Sequence, residues 1–218
     1  MKKINRLISG YNHNPGSISR IKYIVIHYVG ALGGAKENCQ YYAGGNRNAS
    51  AHYFVGFDGE IWQSVEDANI AWHCGASSYK HGECRNANSI GIELCVRKRN
   101  TASMGATDKD WYFEDATVEA AAELTRYLMD KYNVPASHVI RHYDVTGKIC
   151  PNPYVYNTTA HTWDEFKKKI SGAVAPAIKK LYRVRKSWKD AASQLGAFEE
   201  LENAKKACKV GYTVYDWN

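Results

Sequence analysis

The apolar run IKYIVIHYVG, residues 21–30, constrains the fold more than any other stretch of this 218-residue chain. It predicts a buried β-strand over residues 22–29, in which Tyr23, Val25 and His27 alternate onto one face. A histidine at the C-terminal end of such a strand lies where strands open onto crevices. His27 is therefore a candidate functional residue, although a lone histidine in this position is more often a hydrogen-bonded core residue.

A second stretch, RHYDVTGKICPNP at residues 141–153, carries a histidine, a lysine and a cysteine in a loop interrupted by Gly and Pro. Imidazole and thiolate are the side chains that zinc prefers, and His142 and Cys150 can both reach one ion across a turn at Gly147. His27 is the best candidate for a third ligand. Three protein ligands with a fourth position left to water are typical of a catalytic zinc site.

The run SIGIELCV, residues 89–96, predicts another strand, and Glu93 lies in its middle among apolar residues. A carboxylate in such a strand must be paired or directed into a polar cavity. Lys148 would by itself be a surface charge, as most lysines are, but it lies two residues before the candidate cysteine ligand. Of the remaining histidines, the two most apt to line a cleft are His52 and His73.

Other patterns predict alternating strands and helices. The predicted strands cover residues 22–29, 51–57, 60–65, 89–96 and 134–142, and the predicted helices cover residues 36–43, 117–132 and 162–170. The pair Asp58-Gly59 is a strong hairpin signal between the second and third strands. The sequence Thr162-x-x-Glu165 is a capping box, which predicts the start of the last of these helices.

The composition divides the chain into a domain over residues 1–172, a linker over residues 173–180 and a small module over residues 181–218. In the module we expect a strand over residues 181–187, helical pieces over 189–210 and a strand over 211–218. A unit of this size has little core of its own. We therefore expect it to pack against the first domain, another copy or residues beyond this sequence.

The net charge of +7 suggests an anionic partner, but the basic residues are scattered singly, which argues against nucleic acid. No segment has the apolar length needed for membrane insertion. The N-terminal segment has no apolar stretch typical of a signal peptide, which predicts synthesis in the cytoplasm. The six cysteines favour buried thiols, although Cys74 and Cys84 flank a short loop and can pair if the protein works outside the cell.

Five motifs in order resemble the zinc-dependent N-acetylmuramoyl-L-alanine amidases shared by phage endolysins and peptidoglycan recognition proteins. They are IVIHYVG, NASAHYFVGFDGEIWQSV, AWHCGAS, NSIGIELC and RHYDVTGKICPNP, and they cover roughly residues 20–172. The resemblance implies an α/β fold with a mixed central β-sheet flanked by helices. It also implies a zinc ion bound by His27, His142 and Cys150, and cleavage of the amide between N-acetylmuramic acid and L-alanine in peptidoglycan.

The resemblance assigns further roles. Some family members have a tyrosine just before the histidine of the second motif, where this chain has Ala51. In members without that tyrosine a glutamate in the NSIGIE motif acts as acid and base, so Glu93 is the expected catalytic residue and Tyr53 a weak substitute. Lys148 matches the lysine before the cysteine ligand and is expected to stabilise the oxyanion. The residues expected to bind substrate are His52, Tyr53, His73 and Asn88.

Residues 182–218 resemble the sporulation-related repeat that some amidases carry to bind cell walls. An excess of Lys and Arg there suits anionic wall polymers, although a solvated helical face is the simpler alternative. We expect a phage or prophage endolysin that acts on peptidoglycan of the cell wall after release from the cytoplasm. The alternative is a non-catalytic recognition protein on the same fold, but such proteins usually lack the cysteine ligand.

Overall fold

A computed structural model describes residues 1–172, 182–198 and 200–216. The chain forms two units, residues 1–172 and residues 173–218. The predicted linker over residues 173–180 lies outside the described residues. No helix within the described ranges is long and apolar enough to cross a membrane.

The strands and helices predicted for the first unit are present with their ends shifted by a few residues, except that the strand predicted over residues 134–142 is reduced to residues 139–141, because residues 136–138 form a 3-10 turn. The strands are β1 (Ile4–Arg6), β2 (His13–Asn14), β3 (Tyr23–Tyr28), β4 (Tyr53–Val55), β5 (Ile61–Gln63), β6 (Ile70–Ala71), β7 (Ser89–Leu94), β8 (Arg97–Lys98), β9 (Trp111–Tyr112) and β10 (Val139–Arg141). The helices are α1 (Ala35–Ala43), α2 (Asp115–Tyr132), α3 (His142–Thr146), α4 (Asn152–Tyr156) and α5 (Trp163–Ser171). Three short 3-10 turns cover Ile18–Arg20, Asn86–Asn88 and Ala136–His138.

Six strands form a mixed central sheet in the order β1-β5-β4-β7-β3-β10. Every neighbouring pair is parallel except the β4–β5 hairpin, which turns at the predicted Asp58-Gly59. The predicted fold class is therefore confirmed. The register places His27 of β3 directly beside Glu93 of β7.

The two central strands, β3 and β7, divide their side chains between two buried faces. Ile24 and Ile26 alternate onto the face that packs against α2 and α5, in a core that includes Leu124 and Phe166. The opposite face packs against α1 and the segment that contains Cys74 and Cys84. His27 and Glu93 belong to this second face, at the carboxyl ends of their strands.

The second unit has three strands and one helix among its described residues: β11 (Tyr182–Arg185), β12 (Gly196–Phe198), α6 (Leu201–Ala207) and β13 (Thr213–Tyr215), with a 3-10 turn at Ala191–Ser193. The strands form an antiparallel sheet in the order β12-β11-β13. The prediction of helical structure over residues 189–210 is wrong at β12. Pairing with β11 satisfies the backbone there and overrides a helix-favouring composition.

Candidate active site

Three side chains predicted as zinc ligands meet at the carboxyl edge of the parallel strands. His27 lies near the end of β3, His142 begins α3 directly after β10, and Cys150 follows α3. One ligand atom of each lies within 4.8 Å of the other two. Among the described residues this is the one group of three or more His, Cys, Asp and Glu side chains placed to share an ion.

Local hydrogen bonds fix the segment that carries two of these side chains. The guanidinium and the backbone N–H of Arg141 both donate to the Asp144 carboxylate, at 2.8 to 3.0 Å, and these bonds cap the start of α3 at Arg141. Gly147 ends α3 with a φ of 87°, a conformation that glycine adopts without strain. The N–H of Tyr143 then donates to the Cys150 carbonyl at 2.8 Å. The loop predicted here thus contains a short helix.

Two observations on these side chains suit a zinc ion. Nδ1 of His27 is 3.6 Å from Sγ of Cys150. Nδ1 of His142 is buried with no hydrogen-bond partner in the described chain. Ligand atoms of a tetrahedral zinc with ordinary bond lengths lie about 3.3 to 3.6 Å apart. An unpaired buried nitrogen is unfavourable, and a metal would provide its partner.

Burial keeps the candidate ligands neutral. It lowers the pKa of His27 well below the ordinary value and that of His142 to about 3, and the positive charge of Lys148 adds to both shifts. Burial also raises the pKa of the Cys150 thiol, and the negative charge of Glu93 adds to that effect. The imidazoles are therefore free to ligate over a wide pH range, whereas the thiol must release its proton when a metal binds.

Glu93 is placed to exchange protons beside the candidate metal site. Its Oε1 lies 3.9 Å from Nδ1 of His27, and its Oε2 is buried with no hydrogen-bond partner in the described chain. Burial raises the pKa of Glu93 to about 8, an effect that the charge of Lys148 partly offsets. A carboxyl group with a pKa near neutrality is suited to general acid and base catalysis.

A cleft of about 560 Å³ reaches this site. His142, Lys148 and His73 line it, together with Trp72, Ser77 and Asn86. Within the described ranges the ammonium group of Lys148 forms no ion pair. A ligand in the cleft therefore meets a candidate metal ligand and a free positive charge.

His52 does not line the cleft, contrary to the sequence interpretation. It is fully buried, and its Nδ1 accepts a hydrogen bond from the Gly91 N–H at 3.0 Å. Its Nε2 lies 3.1 Å from the Asn69 carbonyl, to which it donates. Both ring nitrogens thus hold the backbone of neighbouring segments, so His52 is a structural residue.

Tyr53 is also outside the cleft. The register of β4 against β7 sets Tyr53 beside Ile92, on the face that packs against α2. There its hydroxyl donates to Asp67 at 2.6 Å. The expectation that Tyr53 binds substrate or replaces Glu93 is therefore wrong, because strand alternation directs the two side chains to opposite faces.

Asn88 supports the loop behind the cleft rather than the cleft wall. Its amide accepts from the Arg85 N–H at 2.8 Å and donates to the Glu83 carbonyl at 3.0 Å. The wall residue is Asn86, whose Oδ1 accepts from the backbone N–H groups of His73 and of the next residue, at 3.1 and 2.7 Å. Sequence reasoning missed it, since two asparagines in one short turn carry the same local signal.

An edge of parallel strands that brings together two buried histidines, a buried cysteine and a half-buried glutamate defines a candidate metal-dependent hydrolase. The sequence matches the N-acetylmuramoyl-L-alanine amidase family over residues 17–153. The chain belongs to this family.

Individual relatives agree with this assignment. The N-acetylmuramoyl-L-alanine amidase CwlL of Bacillus licheniformis is 32% identical over 169 residues, which cover 72% of this chain and 42% of CwlL. The 1,6-anhydro-N-acetylmuramyl-L-alanine amidase AmpD of Escherichia coli is 35% identical over 124 residues, 56% of this chain and 58% of AmpD. The chain thus spans about half the length of the curated relatives it matches.

A solved structure shares the fold. The catalytic domain of XlyA, an amidase of Bacillus subtilis, is 27% identical with a TM-score of 0.60. The match covers 78% of this chain and 99% of that domain.

Proposed function

We propose that this chain hydrolyses the amide bond between the lactyl group of N-acetylmuramic acid and L-alanine in bacterial peptidoglycan, in a zinc-dependent reaction. The observation that carries the proposal is the convergence of His27, His142 and Cys150 with Glu93 at one edge of the sheet. Membership of the amidase family and relatives named for this activity support it.

An amide is a poor electrophile, so its hydrolysis needs an activated water and a stabilised oxyanion. Zinc held by His27, His142 and Cys150 would supply a water of lowered pKa and polarise the carbonyl group. Glu93 accepts the proton of the attacking water and delivers it to the alanine nitrogen as that nitrogen leaves. Its unpaired Oε2 leaves one carboxyl oxygen available for this transfer.

Glu93 must be ionised to act as the base, although its pKa in the buried site is about 8. Lys148 favours the ionised form, and a bound divalent cation would favour it further. Lys148 also lines the cleft, where its free ammonium group stabilises the developing oxyanion. Removal of one such donor typically raises the barrier by about 2.7 to 4 kcal/mol.

Mass spectrometry of digested peptidoglycan tests the bond specificity. We expect stem peptides that begin with a free L-alanine, and glycan strands that keep their lactyl groups. Products with new reducing sugar ends, or peptides cut within the stem, would contradict the proposed reaction.

We also propose that the second unit binds anionic polymers of the cell wall. Arg183 and Arg185 alternate with the buried Val184 on β11 and so share the face opposite to it. The register places Tyr215 beside Arg183, and the Trp188 ring lies 5.7 Å from the Tyr215 ring. Basic and aromatic side chains on one face suit a polymer that carries sugar rings and negative charges.

For the biological role we propose a phage or prophage endolysin that meets peptidoglycan after release from the cytoplasm. Its similarity to an endolysin from Bacillus subtilis, 27% identical with a TM-score of 0.60, supports this role. Expression in a bacterial host should lyse the culture only after the membrane is permeabilised. Lysis at the same rate without permeabilisation would contradict the need for release.

A further inference from the structure

We propose that Ser89 and His73 are positioning residues that hold His27 in the tautomer protonated on Nε2, which leaves its Nδ1 free to bind the metal. The functional meaning of this inference rests on the proposed zinc centre. The order of the hydrogen bonds, however, is a property of the metal-free chain.

The series of hydrogen bonds begins at the backbone carbonyl of Arg85. The hydroxyl of Ser89 lies 2.7 Å from the Arg85 carbonyl, which can only accept a hydrogen bond. A serine hydroxyl has a single proton, and this bond uses it. Ser89 Oγ must therefore accept from Nε2 of His73, which lies 3.1 Å away.

The direction of the hydrogen bonds is fixed in the same way at both imidazoles. A neutral imidazole has one donor and one acceptor nitrogen, so His73 donates from Nε2 and accepts at Nδ1. Its Nδ1 lies 3.0 Å from Nε2 of His27, which must be the donor. Nδ1 of His27 is then unprotonated, and it is the nitrogen that lies 3.6 Å from Sγ of Cys150.

The ring of His73 is held in place from two further sides. The Asn86 side chain accepts from the His73 backbone N–H at 3.1 Å. On the strand below, Gly91 has no side chain, and a Cβ there would lie 2.6 Å from Cγ of His73. The glycine in β7 thus leaves the space that the ring occupies.

Two cysteine side chains also contact the hydrogen-bonded pair of Ser89 and His73. Cys74 and Cys84 both contact Ser89, and Cys74 also contacts His73. The hydrogen bond with Cys84 lowers the pKa of Cys74, and a thiolate there can only accept, as the Arg85 carbonyl can, so it does not reverse the donors of Ser89 and His73. The bond from Ser89 to the Arg85 carbonyl therefore sets the proton order.

Ser89 is needed because the imidazole of His73 could either donate a hydrogen bond to His27 or accept one from it. Metal-binding histidines usually donate their second N–H to a carboxylate or a carbonyl, which can only accept. Here the partner of His27 is His73, which can accept or donate, and Ser89 decides between the two. Both nitrogens of His73 are used in this way, so His73 contributes its ring to the cleft wall without a free hydrogen-bonding nitrogen for substrate.

Nitrogen NMR on the metal-free, 15N-labelled chain tests the proposal directly, because ring nitrogens with and without a proton have distinct chemical shifts. We expect His27 to carry its proton on Nε2 in the wild type. In Ser89→Ala we expect a mixture of tautomers or a shift to Nδ1. A wild-type His27 protonated on Nδ1 would overturn the proposal, and so would an unchanged tautomer in Ser89→Ala.

Zinc affinity, measured by competition with a chromogenic chelator, provides a second readout. Loss of a group that orients a metal ligand typically costs about 10- to 100-fold in affinity, and we expect this loss in Ser89→Ala. Ser89→Thr keeps the hydroxyl and His73→Gln keeps one acceptor and one donor, so both should retain most of the affinity. A Ser89→Ala variant with wild-type affinity would contradict the proposal.

Thr117→Val is the matched control, because it removes another buried hydroxyl that donates to a backbone carbonyl, that of Gly56, at 2.9 Å. It should lose stability without a change in tautomer or zinc affinity. An equal loss of affinity in Thr117→Val would assign the effect to general destabilisation and overturn the positioning role. If Ser89→Ala does not fold, the wild-type spectrum still tests the tautomer of His27. The zinc affinities of His73→Gln and His73→Leu then test whether the side chain at position 73 must form these hydrogen bonds.

These readouts separate this inference from the proposed function. A chain with Nε2-protonated His27 that does not cleave peptidoglycan would overturn the function alone. An active amidase with Nδ1-protonated His27 would overturn the positioning role alone.

Discussion

Burial of titratable side chains controls the chemistry of the candidate site. Glu93 has a pKa of about 8 in the folded, metal-free chain, against an ordinary value of 4.5. The two candidate histidine ligands have lowered pKa values for the same reason. Burial therefore favours the neutral forms of the carboxyl group, the two imidazoles and the Cys150 thiol.

The raised pKa of Glu93 makes stability depend on pH. Since the unfolded chain loses this proton near pH 4.5 and the folded chain near pH 8, the stabilising contribution is full below pH 4.5 and is lost as pH rises through 8. Glu93→Gln has no proton to release here. The free energy of unfolding of the metal-free variant should therefore rise relative to that of the wild type between pH 5 and pH 8. Urea unfolding at both pH values, with chelator present, measures the difference. A difference that does not change with pH would contradict the raised pKa.

Substitutions at the site should separate catalysis from metal binding. Glu93→Ala removes the proposed base and should bind zinc like the wild type while turnover falls by at least about 100-fold. Cys150→Ala removes a ligand and should lose zinc. Metal content by elemental analysis and the rate of wall lysis provide the two readouts. A Glu93→Ala variant that lyses walls at the wild-type rate would refute the assignment of the base.

The sequence alone predicted the candidate metal ligands. His27, His142 and Cys150 were predicted because histidine and cysteine near strand ends are metal ligands by type, and the structure places them together. His52 and Asn88 were placed wrongly in the cleft. Their orientation depends on hydrogen bonds to distant backbone groups, such as that between His52 and Gly91, which local patterns do not contain.

Among the secondary structure elements, β4 shows how strand alternation separates function from stability. Tyr53 points away from the cleft and donates to Asp67, a buried carboxylate that also accepts from Gln63 at 3.0 Å and Lys131 at 3.0 Å. This polar group joins β4 and β5 to the end of α2. It should therefore contribute to stability and not to turnover.

Tyr53→Phe tests this role. Loss of a hydrogen bond to a charged group should lower the free energy of unfolding by about 1.5 to 3 kcal/mol while amidase activity stays the same. Tyr154→Phe is the matched control, since Tyr154 is equally buried but its hydroxyl has no hydrogen-bond partner in the described chain. That variant should be neutral or more stable. If Tyr53→Phe kept full stability but had lower turnover, Tyr53 would have a role in the reaction and the structural assignment would be contradicted.

Elements with a strong periodic pattern were predictable and short ones were not. The strands over residues 22–29 and 89–96 are mostly apolar and match β3 and β7 closely. Helix α3 has five residues and depends on the Arg141–Asp144 pair for its start, so it has no periodicity to detect. Strand β12 exists because β11 offers it a partner, which is a property of the folded unit.

At the scale of the whole molecule, the candidate site lies within residues 1–172. Its sheet, helices and cleft residues all belong to this unit, which has its own hydrophobic core. The match to the amidase family covers residues 17–153 and so lies within this unit. The first unit should therefore fold and react without the second.

Deletion of residues 173–218 tests the division of roles. The shortened chain should unfold cooperatively and cleave small soluble muropeptides at the wild-type rate, while its binding to cell walls in a pull-down becomes weaker. Charge substitutions of Arg183 and Arg185 in the full chain provide a milder comparison. Wall binding that is unchanged after the deletion would contradict a targeting role for the second unit.

Zinc-dependent amidase activity is tested by incubating purified peptidoglycan with the full chain and quantifying new L-alanine amino groups against new reducing sugar ends. We expect alanine amino groups to appear, to vanish with a chelator and to return with added zinc, while the number of reducing ends stays constant. Release of neither group by a zinc-loaded chain that still binds walls would contradict catalysis and favour a peptidoglycan recognition protein.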